Sequence, residues 1–276
     1  MSEHVALSGN FHLVCSRRSD GTTCVSHQSF AAPFHLSKTY WNEEILLVHV
    51  INQTAGLFGG DVVKTNVVVE PGARVLLSSP SAARFHPSGG REVRIEQRYE
   101  IRAGGFLDIF PEITIPQRDS RAVQTTRIEV EPGGEALYLE TLTPGRVASG
   151  ETFEFGRFAW RTDVRLGQRL VHRERATLSP GDASLAGLRA LFPASYYAGL
   201  IVISPASENW GVDFSREVGA LIESKSAVLG ATRLPTGGWS IRVLTADALL
   251  LRRAITSLRE LIYRRLGRAP ADARRY

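Results

Sequence analysis

The acidic side chains that could bind a cation stand singly in this sequence. Asp61 ends the stretch Asn52-Gln-Thr-Ala-Gly-Leu-Phe-Gly-Gly-Asp61, in which three glycines fall close together. An acidic group exposed on such a loop could bind a cation or a partner's arginine. A phosphate-binding loop would need Lys and then Ser or Thr after the glycines, which argues against nucleotide binding. The alternative is a tight turn in which Gly59 and Gly60 take left-handed backbone angles and Asp61 caps the turn.

Two further segments carry isolated charges. Glu112 lies between two prolines in Asp108-Ile-Phe-Pro-Glu-Ile-Thr-Ile-Pro116, near a predicted strand end, and we expect it to be exposed. Gly145-Arg-Val-Ala-Ser-Gly-Glu151 holds opposite charges at Arg146 and Glu151, between two predicted strands. These two side chains either face a partner or form an ion pair inside a turn, and both interpretations remain open.

Clustered metal-binding or nucleophilic motifs are missing from the sequence. The seven histidines are scattered, and neither a CxxC nor an HxxxH pair occurs, so no compact zinc-type site is predicted. Cys15 and Cys24 are expected to be free thiols, although one disulfide is possible. No arrangement of Ser, His and Asp and no pair of carboxylates indicates a catalytic centre.

The composition is that of a globular protein, with 276 residues, of which 43% are hydrophobic and 22% are charged. No apolar run approaches the roughly 20 residues of a membrane span. The first residues lack the apolar core of a secretory signal, so we expect a cytoplasmic protein. The net charge of +5 is uneven, because Arg252–Tyr276 holds eight arginines against Glu260 and Asp272. The rest of the chain is nearly neutral by count.

Short alternating or β-branched segments predict a mainly β protein. In Glu92–Ile101 apolar and charged residues alternate, interrupted by Gln97, which predicts one buried and one solvated face. Similar strands are predicted along most of the chain: Val62–Glu70, Arg74–Ser79, Phe106–Phe110, Thr125–Val130, Ala136–Leu142, Thr152–Trp160 and Arg169–Thr177.

A weak repeat indicates how these strands are arranged. Gly72, Gly104, Gly133 and Gly167 each follow the end of a predicted strand by about three residues and recur about every 30 residues. Glycine suits a turn that needs a positive φ angle. The spacing favours a layered or helical β architecture of stacked strand–turn–strand units, with a β-sandwich of unrelated hairpins as the alternative.

Helices are predicted only in the C-terminal part. Ser184–Leu191 and Ser215–Ser224 are short candidates, and Ala246–Leu266 has apolar residues at helical spacing. Thr245 could cap this long helix and Gly267 could close it. We therefore predict one domain over residues 1–276, with a β-rich body to about residue 180 and mixed helix and strand from about 181 to 276.

The sequence resembles the urease accessory protein UreD family, called UreH in some species, from about Gln28 to the C-terminus. The most specific match is Gly145-Arg-Val-Ala-Ser-Gly-Glu151, which has the family's Gly-Arg-x-Ala-x-Gly-Glu pattern. Supporting matches are found in five further segments: Ala55-Gly-Leu-Phe-Gly-Gly-Asp61, Ser78-Ser-Pro-Ser-Ala-Ala-Arg84, Ile109-Phe-Pro-Glu-Ile-Thr-Ile115, Arg242-Val-Leu244 and Leu258-Arg259.

The chain departs from the family pattern at three places. Arg84 replaces the usual Lys, Glu112 replaces the usual Gln, and Ala273-Arg-Arg replaces the usual Pro-Arg. These differences indicate a divergent member, whose partners could have diverged with it.

The resemblance implies a scaffold without catalytic activity. Proteins of this family are mostly β, bind the accessory protein UreF, which recruits the GTPase UreG, and dock on apo-urease. Nickel is thought to pass through a water-filled tunnel in UreD, so no tightly bound cofactor is expected, only nickel in transit. Scattered carboxylates would give a weak path, for which the candidates are Asp61, Glu112, Glu151 and Glu174.

The same resemblance suggests partner contacts and leaves alternatives. Candidates for partner binding are Gly59, Gly60, Arg146, Arg252, Arg259 and Arg264, the last three on the basic C-terminal helix. Neither nucleic acid nor a membrane is an expected partner. The competing hypotheses are a carbohydrate-active β-helix enzyme using Asp108 with Glu112 or Glu151 with Glu154, a binding module unrelated to urease, and a nucleic-acid binder using the arginine-rich terminus.

Overall fold

The structure is a computed structural model that describes residues 6–87, 89–182, 195–222 and 226–272. The predicted helix Ser184–Leu191 lies outside these residues. In chain order the strands are β1 Ser8–Arg17, β2 Thr23–Phe30, β3 Phe34–Leu36, β4 Tyr40–Asn42, β5 Ile45–Asn52, β6 Val62–Val69, β7 Arg74–Ser78, β8 Ala83–Phe85, β9 Val93–Ile101, β10 Phe106–Phe110, β11 Thr114–Pro116, β12 Arg121–Val130, β13 Glu135–Leu142, β14 Arg157–Leu166, β15 Arg169–Leu178, β16 Tyr196–Ile203, β17 Ala227–Arg233 and β18 Gly238–Thr245. The helices are α1 Gly211–Ala220 and α2 Ala248–Arg265, with 3₁₀ turns at Val147–Ser149 and Pro205–Asn209.

Two large sheets lie face to face. Sheet 1 has the order β15-β14-β12-β9-β6-β1-β2, and its five central strands, β1, β6, β9, β12 and β14, are parallel. Sheet 2 has the order β17-β18-β16-β13-β10-β7-β5-β3, with parallel pairing from β5 to β13 and antiparallel pairing beyond. β4 also pairs with β5, and β11 pairs with β8 in a small third sheet. The predicted stack of strand–turn–strand units is confirmed, and its coils resemble those of a β-solenoid.

The repeated glycines occupy the turns between strands. Gly72, Gly104 and Gly133 each join a strand of sheet 1 to the next strand in sheet 2, with φ angles of +73°, +72° and +84°. Adjacent turns are stacked, because the Gly104 amide donates to the Gly133 carbonyl oxygen over 3.1 Å. Gly167, at φ +56°, instead closes the β14–β15 hairpin within sheet 1. The positive φ angles explain why glycine recurs there.

Hydrophobic packing fills both the interior and one outer side of the stack. One cluster lies between the sheets and includes Leu13, Val67, Val75 and Leu107. A second packs the outer face of sheet 2 against the helices. A third fills the opposite end of the interior, around Phe85, Phe158 and Trp160. Polar side chains lie between this cluster and the first, and they form the candidate site described below.

The long helix α2 covers the outer face of sheet 2. Leu251, Leu258 and Ile262 are buried at helical spacing, as the sequence predicts. The predicted cap is wrong: β18 continues to Thr245, and the Asp247 side chain accepts a hydrogen bond from the Leu250 amide over 2.8 Å. Gly267, at φ +69°, ends the helix as predicted.

Two other local predictions can be compared with the structure. The predicted helix Ser215–Ser224 corresponds to α1, displaced toward the N-terminus. The predicted strand Thr152–Trp160 is wrong in its first half, because Phe153 has a φ angle of +56° and β14 begins at Arg157.

The two cysteines do not form a bridge, and no described helix is long and apolar enough to cross a membrane. Cys15 is fully buried, and burial raises the pKa of its thiol to about 12. A thiol in this state is unreactive near neutral pH.

Candidate functional site

A row of polar side chains crosses the inside of sheet 1. Inward-facing residues on its strands are mostly apolar, but one register row is polar on all five strands from β6 to β15. Register pairs join its members, Thr65, Gln97, Thr126, Thr162 and Glu174. With Glu140 and Arg242 from sheet 2 they form what we call the polar layer. It separates the two apolar clusters of the interior.

Hydrogen bonds connect the members of this layer. The Thr126 hydroxyl donates to the Gln97 side-chain oxygen over 2.9 Å. Glu140, on β13, accepts from Gln124 Nε2 at 2.7 Å and from the Thr162 hydroxyl at 3.4 Å. Sheet 1 and sheet 2 are thereby linked through polar contacts in an otherwise apolar interior.

Glu140 is a buried carboxyl group without a cationic partner in direct contact within the described residues. Burial, and secondly the charge of Glu174, raise the pKa of Glu140 to about 8. At neutral pH this side chain is therefore mostly protonated. A group in this state can release a proton when a cation approaches, and take it back when the cation leaves.

Glu174 is held in the charged form. Burial alone would raise the pKa of Glu174. The nearby His172 ring, the charge of Arg242 and the Tyr197 hydroxyl together outweigh burial and keep this pKa below its usual value. The Tyr197 hydroxyl donates to Glu174 over 2.9 Å, and the Arg242 guanidinium binds its second oxygen. His172 Nε2 is 3.8 Å from Glu174, beyond hydrogen-bonding distance.

A cavity of about 180 Å³ adjoins the polar layer. Thr65, Gln97 and Glu140 line it on the inside, together with apolar residues of both neighbouring clusters. The cavity is also lined by the loop residues Ser79 and Ser81 and by the half-buried Glu112. The cavity is large enough for several water molecules and has polar groups that could hold them.

The structure places the four predicted cation-binding carboxylates apart. Glu112 lines the cavity and also approaches Arg252 of α2 at 3.6 Å, so it is half-buried rather than exposed as expected. Glu174 belongs to the polar layer. Asp61 and Glu151 are engaged elsewhere, as described next.

Asp61 is buried, which corrects the expectation of an exposed carboxylate. Its two oxygens accept from the Leu7 amide at 2.9 Å and from the Phe58 amide at 2.8 Å. The alternative of a capped turn is therefore confirmed, although only Gly60 of the two adjoining glycines has a positive φ angle, +97°. Gly59 is buried.

Glu151 forms the internal ion pair with Arg146 that the sequence left open. Arg146 Nε lies 2.9 Å from Glu151 Oε2, and the Arg118 amide reaches the same oxygen at 3.3 Å. The hydrogen bond from Arg146 is the main cause of the lowered pKa of Glu151. Glu154 binds Arg118 instead of forming a carboxylate pair with Glu151.

Arg259 is not a surface residue of the basic helix, contrary to expectation. Its guanidinium donates to Asp108 Oδ2 from Nε at 3.0 Å and from Nη2 at 2.7 Å, and the Tyr263 hydroxyl donates to the same oxygen at 2.6 Å. Asp108 thus faces α2 and not Glu112. Arg252 and Arg264 are exposed, so they remain candidates for partner contacts.

Comparison with known proteins identifies the family. The sequence profile described as UreD urease accessory protein matches residues 8–276. The urease accessory protein UreD of Opitutus terrae is 33% identical over 273 residues, covering 97% of this chain and 98% of that protein. The corresponding proteins of Actinomyces naeslundii and Haloarcula marismortui are 31% and 30% identical, over 83% and 86% of this chain.

The chain belongs to the UreD family of urease accessory proteins. Its role therefore lies in urease maturation, and it is an accessory rather than a catalytic component. Among the described residues of this UreD-family chain, no three His, Cys, Asp or Glu side chains are grouped so that they could hold a metal ion.

Sequence reasoning missed Glu140 and most of the polar layer. One signal was visible, because Gln97 interrupts the apolar alternation of β9. Thr65, Thr126 and Thr162 gave no comparable signal, since threonine is common on either face of a strand. Only the register shows that these four residues form one row.

Proposed function

We propose that this protein is a maturation scaffold through which nickel moves to the urease active site. It would bind a UreF-like accessory protein, and through it a UreG-like GTPase, and would dock on apo-urease in the cytoplasm. Nickel is cargo in this proposal, so no tightly bound cofactor is involved.

The observation that carries the proposal is the polar layer with its adjoining cavity. Burying a row of hydroxyl, amide and carboxyl groups costs free energy, which hydrogen bonds only partly offset. Such a row therefore indicates a role beyond folding. Here the row borders a mainly apolar cavity and contributes polar groups to its wall, and it includes two carboxyl groups in different protonation states. Oxygen ligands and water would surround a divalent cation without replacing its whole hydration shell.

Weak binding suits a route for nickel. Nitrogen and sulfur ligands bind Ni²⁺ tightly, and a dense site of histidine or cysteine would retain the ion. In the polar layer, Glu140 must lose a proton before it can act as an anionic ligand. That requirement weakens binding near neutral pH and assists release.

The test replaces carboxyl groups of the layer with amides of equal size. Glu140→Gln and Glu174→Gln are introduced into cells that depend on this gene for urease activation. We expect the nickel content of purified urease, and its activity, to fall several-fold in each variant. Co-purification of the UreF-like protein and apo-urease with the scaffold should be unchanged, because the altered side chains are internal.

Glu208→Gln is the matched control, since Glu208 is exposed and outside the layer. It should leave the nickel content of urease at the wild-type level. Wild-type nickel content in both internal variants would contradict passage through the polar layer. Normal urease in a strain without the gene would contradict the whole function.

A further inference from the structure

The outer face of sheet 1 is strongly basic. We use the name basic face for the outward positions of β6, β9, β12, β14 and β15. Its cations are Lys64, Arg94, Arg98, Arg121, Arg127, Arg157, Arg161, Arg165, Arg173 and Arg175. Its acidic residues are Glu96, Glu100, Glu129 and Asp163. Ten cations against four carboxylates give this face a net charge of +6.

Counting along the sequence hides this surface. Outside Arg252–Tyr276 the chain has 25 cations and 26 acidic residues, and it looks neutral. Strand alternation directs cations of five strands to the same side, and the sheet order places those strands next to one another. The positive electrostatic potential on the outer side of sheet 1 therefore results from the fold.

Half of these cations have no ion-pair partner among the residues that the structure describes. Each of the four carboxylates already binds a cation of the face: Glu96 with Lys64, Glu100 and Glu129 with Arg98, and Asp163 with Arg161 and Arg173. Glu92, at the border of the face, binds Arg157. Five arginines form no ion pair with any residue in the described ranges: Arg94, Arg121, Arg127, Arg165 and Arg175.

Register pairing also sets arginines directly beside each other. Arg98 is the register partner of Arg127, Arg121 of Arg157, and Arg161 of Arg175. Neighbouring strands are only about 4.8 Å apart, and like charges at paired positions destabilise a sheet. Three such pairs on one face reduce folding stability, and acidic groups of a partner would relieve this repulsion.

The basic face is also indented. A groove of about 660 Å³ runs across β1, β6, β9 and β12, where short side chains such as Asn10 and Thr125 alternate with longer ones. Arg98 and Arg127 stand along its wall, and His12 and Asn66 line it as well. The Asn66 side-chain oxygen is buried and has no hydrogen-bond partner within the described part of the chain. A donor from outside could satisfy this oxygen.

We propose that the basic face is a docking surface for an acidic surface of a folded partner protein. Arginine forks bind carboxylates through two hydrogen bonds, and nine of the ten cations are arginine. The four carboxylates spread among them would repel the continuous negative charge of a nucleic-acid backbone or an anionic membrane. A protein surface, in contrast, can place lysine or amide groups opposite those carboxylates.

The experiment reverses unpaired charges on the face. It rests on the proposed function, since apo-urease and the UreF-like protein of the same organism are the two binding probes. Arg127→Glu with Arg175→Glu should weaken binding of one of the two probes by about tenfold or more and reduce the salt dependence of that binding. Binding of the other probe shows that the variant is folded.

Arg18→Glu with Arg253→Glu is the matched control, because it changes the net charge equally at exposed positions away from the face. It should bind both probes within about twofold of wild type. Unchanged binding of both probes by the face variant would overturn the docking surface. The docking surface would also be overturned if the face variant lost binding only to a DNA duplex or to phosphatidylserine vesicles. Failure of the wild type to bind either protein probe would count against the proposed function instead.

Discussion

Glu140 is a carboxyl group that the interior keeps protonated at neutral pH. Its pKa of about 8 in the folded protein exceeds the ordinary value of 4.5. The folded state therefore holds a proton that the unfolded state has lost, and stability falls as the pH rises between these two values. The stabilisation that the protonated Glu140 provides is complete below pH 4.5, and it is lost as the pH rises through about 8.

We predict that Glu140→Gln removes this part of the pH dependence. Relative to wild type, the free energy of unfolding of the variant should increase from pH 5 to pH 9, by up to roughly 4 kcal/mol at about 1.4 kcal/mol per pKa unit. Urea unfolding of both proteins across this range measures the difference. A difference that does not change with pH would show that Glu140 is ionised in the folded protein.

Asp61 shows which features of a side chain can be predicted from its neighbours in sequence and which cannot. Its place after two glycines suggested a capped turn as one of two interpretations, because the interaction with the Phe58 amide is local. Its burial could not be predicted, since it depends on the distant Leu7 amide folding over the same carboxylate.

The docking of α2 on sheet 2 depends on a buried charged contact. Arg259 and Asp108 are 151 residues apart and nearly inaccessible to solvent, with side-chain exposures of 12% and 3%. The Arg259 guanidinium also stacks 4.8 Å from the Phe110 ring centre. Removing one partner leaves the other charge buried and unpaired.

We predict that Arg259→Met and Asp108→Leu each destabilise the protein by about 3–5 kcal/mol, whereas the double variant loses much less than the sum. Chemical denaturation of the two single variants and the double variant measures the coupling. Arg253→Met, on the exposed side of the same helix, should stay within about 0.5 kcal/mol of wild type. Additive losses would mean that the pair does not hold the helix to the sheet.

At the scale of the whole molecule, the basic face should lower stability when salt is scarce. Arg175 opposes Arg161 across the antiparallel β14–β15 pair, and Glu at position 175 would face that arginine favourably. We predict that Arg175→Glu stabilises the protein by about 0.2–1 kcal/mol at low ionic strength. The gain should shrink in about 1 M salt, where the screening length is about 3 Å.

Thermal unfolding at the two salt concentrations tests this, with Arg18→Glu as a control of equal charge change. The control should show little gain, because Arg18 has no register partner of like charge. Equal gains in both variants would indicate a general effect of net charge and not repulsion within the basic face.

The sequence by itself determined most strands of the central stack, the turn glycines, the long helix and the resemblance to the family. These features depend on short contiguous segments of the chain. The alternation of apolar and polar residues in a strand has a period of two, and a turn with a positive φ angle favours glycine. The motif Gly145–Glu151 is likewise contiguous, so its resemblance was visible without a fold.

Only the tertiary structure decided where the polar layer and the basic face lie. Both combine residues of different strands, mostly about 30 positions apart, which the order and register of the stacked strands bring together. Alternation within a strand such as β9 indicates which side chains face inward, but it leaves open which strands are neighbours and therefore which residues align in one row. The buried position of Arg259 has the same origin, because helical periodicity leaves open which side of α2 meets Asp108.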